Sequence, residues 1–181
     1  MKASLVLVFL FFTQFADAQH DFVTQCEGVW TGTMDIYSNG TLVPNGPKVT
    51  FTVAAIHKDS TWTWRTDYDS PKYGIISKDY ILKSKDSKNG HYILDEGDGI
   101  VLDYQLSGTK MYSVFEVENI VLTATYELRN DQLIFEVYSS PKSKDSTEVL
   151  SHRVQNVQRV TLLPAGKSGL RQPERDRAGK Q

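Results

Sequence analysis

The sequence predicts an all-β protein: a single antiparallel up-and-down β-barrel of about 8–10 strands. Three observations carry that expectation. Beyond residue 18 the 181-residue chain divides into short segments in which apolar and polar residues alternate. Gly, Pro, Asn and Asp cluster between those segments. No segment repeats its apolar residues with a convincing helical period.

The elements follow in order. Met1–Ala18 reads as a signal peptide: Lys2 supplies a positive start, Leu5 to Phe12 an apolar run, and Ala16-Asp17-Ala18 a small-x-small cleavage pattern. Val29–Tyr37 is the first strand, with Trp30, Met34 and Ile36 on one face. Ser38–Pro47 holds Asn-Gly twice and Pro twice and reads as a loop. Val49–Ile56 alternates Val49, Phe51, Val53 and Ala55 against threonines. Thr61–Tyr68 puts Trp62, Trp64, Thr66 and Tyr68 on one side. Tyr73–Leu82 is strand-like, with a bulge expected at Ile75-Ile76.

Lys83–Asn89 reads as a charged turn, and Asn89-Gly90 signals a hairpin into His91–Leu94. Ile100–Leu106, Met111–Val117, Ile120–Leu128 and Leu133–Tyr138 are the next strands, separated by Ser107–Lys110, Glu118-Asn119 and Asn130-Asp131. Ser139–Thr147 is a loop. Val149–Leu163 is the last strand and Pro164 stops it. The barrel domain therefore spans 19–164. The polar tail 165–181 carries five Lys/Arg against two Asp/Glu and is expected to be disordered.

Connections this short suit antiparallel hairpins rather than parallel crossovers. Closing the meander removes exposed edges. The leader implies a secreted protein, or a periplasmic one in a bacterial host. A single cysteine, Cys26, makes no internal disulfide and reads as a small buried apolar residue. A net charge of −2 is no nucleic-acid footprint. After the leader no apolar run approaches the ~20 residues of a membrane span. A monomer or weak homo-oligomer is expected. Asn39-Gly40-Thr41 is a glycosylation sequon in an exposed loop.

Gly28-Val29-Trp30-Thr31-Gly32 on the first strand, with Gln158-Arg159-Val160 near the chain end, resembles the calycin group of lipocalins, fatty-acid-binding proteins and nitrobindin-like haem barrels. The resemblance implies a barrel base in which Arg159 stacks on Trp30 as a cation–π pair. Its nitrobindin-like branch implies a late-strand histidine as haem ligand, here His152. A helical lid and a C-terminal helix, found in other branches, have no counterpart in this chain.

Other candidate chemistry is weak. Asp95-Glu96-Gly97-Asp98-Gly99 gathers three carboxylates but lacks the spacing of a calcium loop, and reads as a solvated turn. Glu116, Glu127 and Glu136 lie on successive strands; Glu127 shares the polar face of Thr123 and Thr125. No Ser-His-Asp set is recognisable, so no catalytic residue, metal or cofactor is assigned. The expected function is binding of a small hydrophobic or amphipathic ligand without catalysis. Trp62, Trp64, Tyr104 and Tyr126 are the expected lining, chosen by strand parity. The alternatives are a protein-binding or envelope-associated domain with a filled interior, a calycin-like isomerase or hydrolase, and the haem barrel.

Overall fold

A computed structural model describes residues 22–143 and 149–166. The leader and nearly all of the tail lie outside these residues. Eleven strands form one antiparallel sheet: β1 (Gly28–Ser38), β2 (Thr41–Val43), β3 (Lys48–His57), β4 (Thr61–Ser70), β5 (Gly74–Asp86), β6 (His91–Gly97), β7 (Ile100–Ser107), β8 (Lys110–Val117), β9 (Ile120–Arg129), β10 (Gln132–Pro141) and β11 (Asn156–Pro164). Consecutive strands pair from β3 to β11, β1 pairs with β3, and a ladder between β11 and β1 closes the ring. The wall is thus a ten-strand up-and-down barrel. β2 is a short ribbon on the end of β1, paired at Ile36–Ser38.

Local chemistry explains the hairpins. Asn39-Gly40, Asp98-Gly99 and Asn130-Asp131 all hold positive φ at both turn residues, the backbone that matches the twist of a tight hairpin. At the β11–β1 seam, Gly32 sits where a Cβ would press on the Thr161 carbonyl oxygen and lie 2.9 Å from Val160 Cγ2. Only a glycine lets the two backbones approach so closely.

Several expected boundaries shift. β5 runs on to Asp86, followed by a 3-10 turn at Ser87–Asn89, so Lys83–Asp86 is strand and not turn. Ile75-Ile76 carries no bulge; the ladder with β4 is regular there. The irregularities fall at Ala55/His57, Ser84/Asp86 and Asp95/Gly97. The last strand starts at Asn156, not Val149, and Val149 and Leu150 are exposed. Within the expected loop Ser38–Pro47, β2 forms a hairpin with β1.

A helical turn at residues 22–25 was not anticipated. Phe22, Val23 and Cys26 are nearly or fully buried there, an i, i+1, i+4 apolar set that suits one helix face. This turn plugs the barrel beside the start of β1. The Cys26 carbonyl accepts a 2.8 Å hydrogen bond from Trp30 Nε1, and Glu27 Oε1 accepts one of 3.2 Å from Trp62 Nε1. Burial pushes the Cys26 thiol well above its ordinary range.

Candidate functional site

Inward residues change character along the barrel axis. Around the plugged end, Trp30, Trp62, Leu82, Tyr92, Leu106, Met111, Leu133 and Leu162 are buried. Above them Phe51, Trp64, Tyr104, Tyr126 and Phe135 form one aromatic stack. Tyr126 lies between Phe51 at 5.6 Å and Phe135 at 4.6 Å, both stacked, with Trp64 edge-on at 5.1 Å. Ten strands enclose more space than eight, and these rings occupy the middle of it.

Nearer the far end the inward side chains are only half-buried: Ile36, Tyr68, Tyr80, Glu96, Leu102, Phe115, Leu122 and Val137. At the rim Ile76, Ile100, Val117 and Ile120 are exposed. The interior is therefore closed at the helical turn and wet at the opposite mouth.

The wall itself parts on one side. β7 and β8 pair only at Gln105–Tyr112, Leu106–Met111 and Ser107–Lys110, next to their connecting turn. By contrast β9 and β10 pair along their whole length. A cleft at this parting is lined by Asp103, Tyr104, Tyr112, Ser113 and Val114, among others. The mouth thus extends down the barrel side. A second notch, between the β1–β2 ribbon and the β4–β5 turn, is lined by Ile36, Val43, Pro44, Pro71 and Tyr73.

Among the described residues two buried inward polar atoms have no hydrogen-bond partner: Trp64 Nε1 and Ser113 Oγ. Trp64 Nε1 stands near the Tyr126 hydroxyl, close enough to oppose the rise of that phenol's pKa, but without hydrogen-bond geometry. An unpaired buried donor costs about 1–3 kcal/mol.

The tyrosines form an electrostatic cluster. Burial raises Tyr68 to about 12. Burial first, then the Glu96 carboxylate, raises Tyr80 and Tyr104 further. Tyr126 is raised well above its ordinary value by complete burial, then by its tyrosine neighbours. The sign follows: the folded state holds these phenols neutral while the unfolded chain ionises them near pH 10. Their contribution to stability is full below that pH and falls as pH rises through the folded values. We expect the interior tyrosines to ionise only as the barrel unfolds. Tyrosinate absorbance and far-ultraviolet circular dichroism should change together in an alkaline titration. Complete ionisation with the dichroism intact would contradict this burial.

Of the expected lining, Trp62, Trp64, Tyr104 and Tyr126 all point inward and are buried. Trp62 belongs to the plugged end, 6.4 Å from Tyr92. Trp64 and Tyr126 sit in the stack, and Tyr104 reaches the β7–β8 cleft. Strand parity missed Glu96, which lies within the acidic run read as a solvated turn. Its signal was position: Tyr92, Leu94 and Glu96 share one parity on β6.

Two expectations are corrected. Trp30 does sit at the base, but Arg159 does not stack on it. Val160 and Leu162 are buried inward, so Arg159 faces outward, where its Nε lies 3.3 Å from Glu136 Oε1. Trp30 pairs in register with Phe51 and Pro164 instead. His152 is exposed and outside any strand, with Nδ1 3.2 Å from the Pro141 carbonyl oxygen. It does not reach the interior and is not placed to ligate a haem there.

The three glutamates stand on the outer face in ion pairs: Glu116 with Lys142 at 2.6 Å, Glu127 with Arg129 at 2.6 Å, and Glu136 with Arg159. The Arg129 hydrogen bond, ahead of charge effects, holds Glu127 below the usual carboxylate range. This arrangement does not converge on a cavity. Among the described residues no three His, Cys, Asp or Glu side chains gather as a metal site.

No protein-family model matches the chain, and no curated protein does. Solved structures similar to it include the fluorescent protein UnaG, as a mutant, at 14% identity and a TM-score of 0.42, covering 79% of this chain and 98% of that one. Another is EF1p2_mFAP2b bound to DFHBI, at 8% identity and a TM-score of 0.38, covering 81% and 98%.

Proposed function

We propose that the protein binds a small hydrophobic or amphipathic ligand in the mouth half of the barrel, without catalysis. One observation carries this reading: an inward, largely apolar surface stays half-wet above the aromatic stack, reached through the parting of β7 and β8. The lower half is structural. Covering about 300 Å² of apolar surface gains roughly 7 kcal/mol before association costs, which suits micromolar binding. Export, with a mature chain starting at Gln19, is part of the proposal and rests on the leader. The mass of the protein recovered from culture medium or periplasm checks it.

A neutral, environment-sensitive dye tests the site. It should bind saturably, one per chain. Phe115→Asp should weaken it by about ten- to a hundredfold, since a buried Phe is worth about 1.5–3 kcal/mol. Tyr73→Asp, on the outer turn, should leave it unchanged. Absent binding, or binding indifferent to Phe115, favours the second reading, a filled barrel acting through its surface. The stack of Phe51, Trp64, Tyr126 and Phe135 in the middle of the barrel is the observation behind that rival.

A further inference from the structure

Two ionisable side chains of opposite sign face the mouth half, the acid half-buried and the base exposed. Among the described residues, Lys78 on β5 stands opposite the buried Thr66 of β4, and the half-buried Glu96 follows the buried Tyr92 and Leu94 at alternate positions of β6, at the irregularity between Asp95 and Gly97. Glu96 stands against the Tyr80 hydroxyl, close to Tyr104 as well. None of the ion pairs among the described residues involves Glu96. Lys78 is exposed at the rim, and its Nζ lies 6.0 Å from the centre of the Tyr80 ring. That ring already serves as a platform for a cation. A carboxylate head group placed here would meet Glu96 as a like charge in a partly desolvated site. An ammonium would meet a carboxylate and electron-rich tyrosine faces.

We propose that the site selects amphipathic amines: the ammonium lies against Glu96 and the rings of Tyr68 and Tyr80, and the apolar body lies along Leu102 and Phe115. This inference rests on the mouth half being the ligand site. It also gives the orphan donors a role. A hydroxyl or carbonyl on the apolar body would accept from Ser113 Oγ or Trp64 Nε1, both unpaired.

The test uses the full chain and three probes with one tail: octyltrimethylammonium, octanol and octanoate, each below its micellar concentration, measured by displacement of the neutral dye. The ammonium should bind about tenfold more tightly than octanol, and octanoate more weakly than either. Glu96→Gln should erase the ammonium's advantage and leave octanol unchanged, which also shows that the variant is folded. Lys78→Met should strengthen ammonium binding. Equal binding of all three probes, or a preference for octanoate, overturns the amine inference while the site stands. An ammonium preference untouched by Glu96→Gln overturns the assignment to Glu96. If the dye itself does not bind, the site reading fails and this inference fails with it.

Discussion

Trp64→Ala should lower the unfolding free energy by about 3–5 kcal/mol, a large share of the 5–15 kcal/mol typical of a domain. Trp64 is fully buried and meets two rings edge-on, Phe51 at 5.0 Å and Tyr126 at 5.1 Å. Alanine leaves a void in the middle of the barrel between Phe51 and Tyr126, and the hydrogen-bonded strands that carry these rings resist closing over it. Trp64→Phe should cost much less. It keeps a ring, and the indole N–H it removes has no hydrogen bond to lose. Urea unfolding of the two variants decides the matter. A loss below about 1 kcal/mol for Trp64→Ala would mean that the stack is not what holds the barrel's middle.

The second large effect belongs to the seam. Gly32→Ala should destabilise the protein by about 1–3 kcal/mol, and Gly32→Val by more. The added Cβ presses on the Thr161 backbone oxygen, so relief requires β11 to move away from β1. That movement strikes the ladder that makes the sheet a barrel. Beyond lower stability, amide hydrogen exchange should speed up along Met34–Ser38 and Asn156–Val160, which pair across the seam. A gain restricted to the β9–β10 ladder, or unchanged stability in Gly32→Val, would contradict this account. The neighbouring Gly28 has open space around its Cβ position, though its φ of 126 disfavours other residues.

The local pattern went far because a strand has a strict two-residue period. The run Trp62, Trp64, Thr66 and the run Val49, Phe51, Val53 both read as inward and both are buried. Parity also put Glu127 on the outer face, where it pairs with Arg129 and Lys110. Parity fails across an irregularity, because one extra residue flips every side chain beyond it. The late chain shows this. Leu150, His152 and Val154 share a face in sequence, but residues 149–155 lie outside any strand, so their phase carries no meaning.

Arg159 fails for a different reason. The resemblance to calycins matched a residue type near the chain end, while the observed register sets Arg159 beside Asp35 and Glu136, on the outside. The plug at residues 22–25 was missed because one helical turn is too short for periodicity to register. Glu96 was hidden by its neighbours: it sits in a run of acids beside Asp98-Gly99, and only the parity it shares with Tyr92 and Leu94 sets it apart.

What the sequence determined by itself is the strand content, the hairpin order and the two faces of each strand. These depend on contacts between residues close in the chain: alternation, and turns whose φ suits Asn, Asp and Gly. Only the tertiary structure decided that β11 meets β1 at Gly32, that β7 and β8 part above Gln105 and Tyr112, and that Tyr80 and Tyr104 come up against Glu96. Those facts join residues far apart in the chain. They are set by how many strands the ring needs and how large rings fill it, and no two-residue pattern records either.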